Sequence, residues 1–465
     1  MDWTIEELAR AAKGTIVQRG AASRLGRIST DSRLVEKDGV FVALRGELRD
    51  GHVFVPEAAR RGGACVLVQR SIAGPKRVSV IRVRDTLRAL GDIAHFHRQK
   101  LAPRVLAITG SNGKTTTKEM LFSILQRTRM EDRPLRGKVL KTEGNYNNLV
   151  GLPLTLLRLR GKERAAVVEL GTNRPGEIRR LTAIANPDLA LITSVAPAHL
   201  SGLKTLAGVA REKGAIFRGL DPRGTAVVNL DDGRVVRQSR GFQGRVVTYG
   251  TGGFVRGEDP EMLSGGRLRF NLRVGRLREP VRLRLCGMHN VRNAVGAAAM
   301  AHAFGADVAA IRKGLEAMRP VPMRMEVERW DGIGIINDAY NANPASMEAA
   351  LATLKAIPGR GRRVAVLGDM REMGPGEATC HREVGETAAG SGLDALYLLG
   401  HFARDVRQGA LAAGMDRTAV RVTRSHRKLA SELRAVLRKG DWVLFKGSRG
   451  AAMEKVLAAM KNEGA

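Results

Sequence analysis

The sequence predicts an α/β protein of three domains. At 465 residues, the chain is roughly three times as long as a typical domain. Apolar runs of strand length alternate with helical patterns along most of it, which is typical of βαβ units around parallel sheets. Prolines interrupt that alternation at Pro103, Pro320 and Pro322. The predicted domains are therefore residues 1–102, 103–319 and 320–465.

In the first domain, the apolar runs 40–44 and 64–68 predict strands, and residues 55–61 between them predict a helix. The central domain has apolar runs that predict a buried parallel sheet: 105–108, 166–168, 189–192 and 226–228. Beyond Pro320, helical segments such as 346–356 separate further strand candidates, which predicts a Rossmann-like C-terminal domain. Those strand candidates are 333–336, 364–367, 396–399 and 443–445.

Two segments of the central domain depart from the parallel pattern. Residues 267–274 and 281–285 alternate apolar and polar side chains, which predicts half-exposed antiparallel strands in a small appended sheet. Residues 294–311 are rich in alanine but carry His302 and Asp307, so they predict one packed helix rather than a membrane span.

Composition favours an anionic partner. The 78 Lys and Arg residues against 46 Asp and Glu give a net charge of +32, which suits phosphates, nucleotides, nucleic acid or anionic lipid. The alternative is that the scattered arginines are solvated surface residues. With aromatic residues at 4% and no nucleic-acid recognition motif, we expect no nucleic acid as a partner.

The cysteines and the N-terminus indicate a cytoplasmic protein. Cys65, Cys286 and Cys380 lie far apart without metal-ligand spacing, so reduced thiols are expected. The chain starts without the basic and apolar segments of a signal peptide. No uncharged apolar run reaches membrane-spanning length, so we expect no membrane insertion.

A glycine-containing turn after the first central strand predicts a phosphate site. Residues 109–117 read TGSNGKTTT and precede an amphipathic helix. Such a turn directs backbone N–H groups and the helix dipole at phosphate. Lys114, expected to be an exposed loop lysine, supplies charge for the terminal phosphates, and Thr115 supplies a hydroxyl for Mg²⁺. A chance turn is the alternative. The predicted ATP-binding residues here are Gly110, Ser111, Asn112, Gly113, Lys114, Thr115 and Thr116.

Further polar residues follow other strands of the same predicted sheet. Glu169 ends one strand and His199 lies just past the next, so either side chain suits a metal beside the phosphates. Asn145 and Asn147 lie in an amide-rich segment, GNYNNLVGLP, that suits phosphate or sugar. The alternatives are a surface carboxylate, a packing histidine and an ordinary turn.

Several motifs, in order, resemble the Mur ligases, ATP-dependent amide-forming enzymes of peptidoglycan synthesis, on which cell shape and division depend. They are TGSNGKTTT, NYNNLVGLP, VELGTNRPGEI, TSVAPAHL, GMHNVRNA and PMRMEVE. Residues 336–344, 367–370 and 446–450 are most similar to members that add D-alanyl-D-alanine to a UDP-N-acetylmuramoyl tripeptide. The resemblance runs from Asp31 to near Glu454, and it implies three domains, with a central P-loop ATPase domain.

The resemblance implies further site residues. The first domain would bind the UDP end of the substrate through Ser32, Arg33, Asp50 and His52. Near the adenine would lie His289, Asn290 and Asn293, for which helix capping is the alternative. From a mobile third domain, Arg324 and Asp338 would reach ATP. Substrate residues would also include Asn145, Asn147, Tyr340, Asn341, Lys446, Ser448 and Arg449.

In the family, a lysine in a motif like KGxIF is often carbamylated and helps to hold a second Mg²⁺. The matching residue here is Lys213, in KGAIF, where Ala215 replaces a glutamate common in relatives. A metal set of Thr115, Glu169, His199 and carbamylated Lys213 is thus implied. The alternative is an unmodified Lys213 paired with a carboxylate.

The implied reaction is ligation of D-alanyl-D-alanine to the tripeptide, through an acyl phosphate formed with ATP. Lys114, His199, Lys213 and Arg324 are the predicted catalytic residues of a cytoplasmic monomer. The ligase that adds the third amino acid is a rival, but its Asp-Asn-Pro-Arg signature is absent and residues 367–372 read LGDMRE. Folate polyglutamylating enzymes are more distant rivals.

Overall fold

The computed structural model describes residues 2–46, 49–70 and 75–462. Within those residues, the strands form sheets of five, nine and six strands and a two-stranded hairpin. Each large sheet carries helices, and we call the resulting α/β layers the first, central and third units. The predicted α/β class is confirmed.

The first unit is a five-stranded sheet in the order β1-β5-β4-β3-β2, parallel except where β1 pairs with β5. Its strands are β1 (Thr15–Gln18), β2 (Ile28–Ser29), β3 (Val40–Val42), β4 (Cys65–Val68) and β5 (Ser79–Arg82). Its helices are α1 (Ile5–Ala12), α2 (Val55–Arg60) and α3 (Thr86–Leu101), with 3-10 turns at Ser32–Leu34 and Gly51–Phe54. Helix α3 ends at Leu101, and its C-cap residue Ala102 adopts left-handed geometry directly before Pro103.

The central unit is a nine-stranded sheet in the order β16-β15-β14-β13-β12-β11-β6-β10-β9. Its chain begins with β6 (Arg104–Thr109) and the separate hairpin of β7 (Arg129–Met130) and β8 (Arg133–Pro134). The other strands are β9 (Val139–Lys141), β10 (Ala165–Glu169), β11 (Leu189–Ile192), β12 (Thr225–Asn229), β13 (Arg245–Tyr249), β14 (Val255–Met262), β15 (Leu268–Val274) and β16 (Leu277–Leu283). Pairing is parallel from β9 to β14 and antiparallel from β14 to β16.

The prediction of a separate appended sheet is wrong. Strand β14 pairs with β13 on one side and β15 on the other, so the antiparallel strands extend the central sheet. The alternation in β15 does place one face inside, with burial alternating along the strand. Alternation reports which face of a strand is buried, and it carries no information about which sheet the strand joins.

Eight helices of the described residues surround the central sheet. They are α4 (Lys114–Leu125), α5 (Gly151–Leu156), α6 (Glu177–Ala185), α7 (Leu200–Leu203), α8 (Leu206–Arg218), α9 (Gly233–Ser239), α10 (His289–Phe304) and α11 (Val308–Ala317), with a 3-10 turn at Ser264–Gly266. The single helix predicted over 294–311 is wrong, because Gly305 ends α10 at φ +114°. Asp307 then caps α11 by accepting the N–H of Ala310.

The third unit is a six-stranded sheet in the order β17-β18-β22-β19-β20-β21, parallel except for the β17–β18 pair. Its strands are β17 (Glu326–Trp330), β18 (Ile333–Asp338), β19 (Arg363–Gly368), β20 (Ala395–Leu399), β21 (Val420–Thr423) and β22 (Trp442–Lys446). Its helices are α12 (Pro344–Ala356), α13 (Glu377–Ala389), α14 (Ala403–Ala412), α15 (His426–Val436) and α16 (Glu454–Asn462), with 3-10 turns at Gly374–Gly376 and Arg449–Ala451.

The three cysteines are free thiols in different surroundings. Cys65 and Cys286 are buried, and burial raises the pKa of both thiols, that of Cys286 to about 12. Cys380 on α13 is partly exposed. Among residues 2–46, 49–70 and 75–462, no helix combines the length and hydropathy that a membrane span needs.

Helices α13 and α14 approach closely because glycine lies at their contact. A Cβ at Gly385 would lie 2.0 Å from the carbonyl oxygen of Val406. We expect Gly385→Ala to destabilise the protein by about 1–3 kcal/mol, because the helices must separate. Gly376→Ala is the control, since its Cβ would meet nothing within 4 Å. Urea unfolding measures both variants, and an unchanged midpoint for Gly385→Ala would contradict the expectation.

Candidate active site

The phosphate loop joins β6 to α4 through two glycines that no other residue can replace without strain. Gly110 has φ +148° and Gly113 has φ +80°. A Cβ at Gly110 would lie 1.8 Å from Thr193 Oγ1, and one at Gly113 would lie 2.2 Å from Asn293 Oδ1. The Thr193 segment and α10 therefore contact the loop directly. The loop presents its N–H groups and the start of α4 to an anion.

Lys114 is the first residue of α4, and its side chain is folded back on the loop. Its Nζ donates to the carbonyl oxygens of Gly110 at 2.7 Å and Ser111 at 3.3 Å. Burial lowers the pKa of the amine, and the carboxylate of Glu169 opposes that shift. The expectation of an exposed lysine is wrong, because the amine is half-buried and hydrogen-bonded.

Glu169 and Thr115 form an oxygen-rich cluster at the end of β10. The Thr115 hydroxyl donates to Glu169 Oε2 at 2.8 Å, and Asn147 Nδ2 donates to Oε1 at 2.8 Å. The Glu169 side chain is buried, with 2% of the residue exposed. Oxygen ligands of this kind suit Mg²⁺. In the described part of the chain, no cluster of three or more acidic, His or Cys side chains could hold a metal alone, so phosphate oxygens would have to complete the set.

His199 borders the same cavity as that cluster and also contacts the third unit. Its backbone is left-handed at φ +54°, and its Nδ1 lies 2.6 Å from Glu372 Oε2 of the third unit. The N–H of Ser201 donates to the Glu372 carbonyl oxygen at 3.3 Å. The histidine thus contacts the third unit, and nothing in its sequence position indicated that contact.

A cavity of about 730 Å³ lies between the phosphate loop and the third unit. It is lined by most of the predicted ATP-binding residues and by several of the predicted substrate residues. From the central unit these are Ser111, Asn112, Gly113, Lys114, Thr115, Thr116, Asn145, Asn147, Glu169, His199, His289, Asn290 and Asn293, and from the third unit they are Arg324, Asp338, Tyr340, Asn341 and Lys446. Residues far apart in sequence therefore share one site.

The start of α10 brings an amide chain to the phosphate loop. Asn290 Nδ2 donates to the Cys286 carbonyl oxygen at 2.6 Å, and Asn293 Nδ2 donates to Asn290 Oδ1 at 2.9 Å. The alternative of helix capping by these amides is wrong, since Met288 is the N-cap residue and no side chain bonds there. The remaining Asn293 oxygen faces Gly113.

His289 is held neutral. Burial lowers the pKa of its ring to about 4, and the charges of Lys446 and Arg292 add to that effect while Asp338 opposes it. Between about pH 6.5 and 4, His289 binds a proton in the unfolded chain but not in the folded protein. The free energy of unfolding should therefore fall as the pH is lowered through this window.

We expect His289→Asn to reduce that acid-side loss of stability, by no more than about 3 kcal/mol. Urea unfolding at a series of pH values from 7 to 4 measures the slope. His401→Asn, at an exposed histidine, is the control. A His289→Asn slope equal to that of the parent protein would contradict the assigned cause.

In the third unit, a buried ion pair fixes Asp338 at the end of β18. Lys446 Nζ, on a side chain 1% exposed, donates to Asp338 Oδ2 and, at 3.1 Å, to the Asn341 carbonyl oxygen. Asp338 Oδ1 accepts the N–H of Met325 at 3.0 Å. Lys446 therefore holds the cavity wall in place as well as bordering the cavity.

Some of the predicted site residues near this ion pair line the cavity, and others do not. The Arg324 guanidinium stacks 4.0 Å above the ring of Tyr340, inside the cavity. Ser448 lies outside the lining and is 2% exposed; its hydroxyl has no partner within the described residues. Arg449 also lies outside and donates to Glu454 Oε1 at 3.1 Å.

The predicted UDP-binding residues lie in the first unit and do not border this cavity. The Ser32 hydroxyl donates to Glu57 Oε2 at 2.6 Å. Arg33 forms a two-pronged pair with Asp31, whose pKa the arginine's hydrogen bonds lower to about 2.

His52 is bonded on both ring nitrogens. Its Nδ1 lies 2.5 Å from Asp50 Oδ1, and its Nε2 accepts the N–H of Gln69 at 2.9 Å. The ring thereby ties the Gly51–Phe54 turn to the residue after β4. In this structure, both ring nitrogens of His52 are thus used to hold the turn in place.

Lys213 on α8 is buried, and its amine meets no partner among the described residues. Its residue is 1% exposed, and within the described residues no hydrogen bond or ion pair engages the amine. Burial holds the pKa of the amine well below its ordinary value; the charge of Lys114 adds to this, and Glu212 opposes it. Glu212 instead accepts the N–H groups of Gly176 and Ile178 at 2.8 and 2.7 Å. The structure therefore does not show the carboxylate-paired Lys213 of the alternative interpretation.

Two acidic residues that follow β12 also border the cavity, and sequence reasoning missed them. Asp232 Oδ2 accepts the N–H of Val195 at 2.7 Å, and Asp231 Oδ1 accepts that of Thr251 at 2.8 Å. The available signal was the same as for Glu169, acidic residues directly after a buried strand. Glu212, which caps α6, had no such signal.

A phosphate loop that faces Arg and Asp side chains of a separate α/β unit defines an ATP-using enzyme. The chain belongs to the Mur ligase family. The model of the Mur ligase middle domain matches residues 108–301, and the model described as Mur ligase, glutamate ligase domain, matches residues 323–449. The protein is accordingly an ATP-dependent ligase with the three-domain Mur ligase fold.

The relatives named here match over nearly their whole length. The UDP-N-acetylmuramoyl-tripeptide–D-alanyl-D-alanine ligase of Bacillus subtilis is 35% identical, with 98% of this chain and 97% of that protein covered. The Escherichia coli ligase of the same name is 36% identical, with 99% of each covered. Crystal structure I of MurF from Acinetobacter baumannii superposes with a TM-score of 0.90 at 33% identity and 99% coverage of both chains. MurF ligase from Thermotoga maritima in complex with ADP gives a TM-score of 0.83 at 28% identity, covering 94% of this chain and 97% of that one.

Proposed function

We propose that this chain joins D-alanyl-D-alanine to UDP-N-acetylmuramoyl-tripeptide with cleavage of ATP to ADP and phosphate, as a monomer in the cytoplasm. The observation that carries the proposal is the 35–36% identity, over 98–99% of the chain, to ligases that bear this name. The cavity supports it, because its lining joins a phosphate loop to the Arg324 and Asp338 of another unit.

In the proposed reaction, the terminal carboxylate of the tripeptide attacks the γ-phosphorus of ATP, and ADP leaves. The amine of the dipeptide then attacks the carbonyl carbon of the acyl phosphate, loses a proton and displaces phosphate. Two anions must meet in the first step. Lys114 of the central unit and Arg324 of the third unit both supply positive charge to the cavity, so positioning and electrostatic stabilisation account for most of the catalysis.

Thr115 and Glu169 are the residues proposed to hold Mg²⁺, with His199 and a carbamylated Lys213 completing the protein contribution. When bound, Mg²⁺ would neutralise phosphate charge and orient the terminal phosphate. The oxygen donors of Thr115 and Glu169 fit the ion, as they lie 2.8 Å apart at the phosphate loop. The imidazole of His199 is a less usual donor for it, and its bond to Glu372 favours a role in placing the third unit.

Carbamylation of Lys213 is proposed from its surroundings. A carbamate forms only from a neutral amine, and burial together with the charge of Lys114 favours the neutral form. The product is an anion, which the nearby Lys114 cation would stabilise. The unpartnered amine is therefore suited to this modification.

The proposed substrate contacts divide among the three predicted domains, 1–102, 103–319 and 320–465. Ser32, Arg33, Asp50 and His52 are proposed to lie near the UDP moiety. Asn145 and Asn147 border the cavity on the central side, and Tyr340, Asn341 and Lys446 border it on the third side, where the dipeptide would enter. Ser448 and Arg449 follow Lys446 closely in the chain and do not border the cavity.

The decisive experiment is phosphate release from ATP across candidate acceptors. We expect release that requires both the UDP-muramoyl tripeptide and D-alanyl-D-alanine. A matched arm replaces the dipeptide with D-alanine alone, and another replaces the tripeptide with the UDP-muramoyl dipeptide. Equal turnover with a single free amino acid as acceptor would overturn the assignment.

A further inference from the structure

A pair of asparagine amides joins the phosphate loop to the third unit. Asn343 Nδ2 donates to Asn112 Oδ1 at 2.8 Å, and Asn112 Nδ2 donates to Asn343 Oδ1 at 3.3 Å. The two residues are 231 positions apart. Each amide thus gives and accepts one hydrogen bond, and we call this contact the amide clasp.

The capping of α12 fixes the orientation of the clasp. Asn343 is the N-cap residue, and its Oδ1 accepts the N–H of Ser346 at 2.9 Å. Because the cap fixes which end of the Asn343 amide is the oxygen, its NH₂ group is left to donate to Asn112 Oδ1, while the oxygen also accepts from Asn112 Nδ2. Asn343 is 4% exposed, and Pro344 follows it at the start of the helix, so the side chain is held on both sides.

Asn112 is held in turn by the central sheet. Its carbonyl oxygen accepts the hydroxyl of Thr193 at 2.5 Å, and its N–H lies 3.4 Å from Ser194 Oγ. The backbone position of Asn112 is thereby set by the end of β11, and its side chain is set by α12. Gly113 and Lys114 come next, so a shift of Asn112 would be transmitted to the residues that meet phosphate.

The clasp also lies between two helix N-termini. Both α4 and α12 begin at this cavity, since Lys114 and Asn343 each border it. The positive ends of two helix dipoles repel each other unless an anion lies between them. A neutral amide pair holds the ends together without placing a negative charge where the phosphates of ATP must bind.

We propose that Asn343 is a positioning residue, which holds the phosphate loop in its nucleotide-binding geometry through the amide clasp. This inference rests on the proposed function, in which the third unit completes the ATP site. Asn343 acts through Asn112 and not on the reacting atoms. The third unit would thus preorganise the loop as well as supply Arg324 and Asp338.

The test is a double-mutant cycle on nucleotide affinity. Asn343→Ser keeps an efficient N-cap but is too short to reach Asn112, and Asn112→Ala removes the same contact from the other side. Calorimetry of the full chain with Mg²⁺ and a non-hydrolysable ATP analogue measures each variant. We expect each single variant to bind about tenfold more weakly, as loss of two hydrogen bonds predicts, and the double variant to bind no more weakly than either.

The control is Asp307→Ser, the same serine cap placed on α11, which should leave affinity unchanged. Thermal melting verifies that Asn343→Ser keeps its fold. Parent-like affinity for Asn343→Ser, or losses that multiply in the double variant, would overturn the proposal. Since no acceptor is present, this outcome is independent of whether D-alanyl-D-alanine is the acceptor.

Discussion

Lys114→Ala is expected to abolish ligation, with turnover lowered by at least about 10³-fold, the range seen when a phosphate-neutralising cation is removed. The fold should survive. Among the described residues, the amine bonds to the loop carbonyls of Gly110 and Ser111 and to no other group, and removing it also relieves the cost of burying a charge. Phosphate release and near-UV circular dichroism on the same sample separate the two effects.

Lys162→Ala is the matched control for that variant, because this lysine is exposed in the same unit. It should retain parent activity and parent stability. Near-normal turnover of a well-folded Lys114→Ala would remove Lys114 from the mechanism. A Lys114→Ala that fails to fold would instead show that the lysine's two bonds hold the loop together.

Lys213→Ala is expected to be nearly inactive, and Lys213→Met is expected to be inactive yet more stable than the parent enzyme. The buried amine has no partner within the part of the chain that the structure describes, so an apolar side chain of similar length removes an unfavourable group. The direction in which the parent's stability changes with pH follows from proton binding. Because the folded pKa lies below the unfolded value, the unfolded chain binds more protons in that interval.

Parent stability should therefore fall as the pH is lowered from about 10.4 towards the folded pKa, and Lys213→Met should lose that slope. Unfolding in CO₂-depleted, metal-free buffer measures it, with Lys313→Met, at an exposed lysine, as control. Short carboxylic acids should partly restore Lys213→Ala, and added bicarbonate should raise the activity of the parent. A ¹³C spectrum of fully active enzyme in labelled bicarbonate that lacks a carbamate signal would contradict the carbamylation.

The phosphate loop could be predicted because its parts are neighbours in the sequence. Strand, turn and helix lie within 104–125, and the two glycines and Lys114 all fall within the five residues 110–114 of one motif. The meeting of Glu169 with Thr115 was also predictable, since β10 and β6 are parallel neighbours whose carboxyl ends share an edge.

The contacts between units could not be predicted in the same way. His199 meets Glu372 across 173 positions, and Asn112 meets Asn343 across 231. Both depend on how the third unit is placed against the central one, which no local pattern encodes. The break at Gly305 was missed for a different reason, because the alanine-rich run continues the helical pattern on both sides of the glycine.

The unequal burial of the three thiols gives the enzyme a natural attachment point for a spectroscopic probe. Burial raises the pKa of all three thiols, but Cys65 and Cys286 are buried whereas Cys380 is partly exposed, so a maleimide dye should react first with Cys380. That residue lies on α13, one turn after the Gly374–Gly376 segment, where a Cβ at Gly374 would lie 3.5 Å from the Ser201 nitrogen of the central unit. Dye emission would then follow the approach and separation of the two units during turnover, without the removal of any native cysteine.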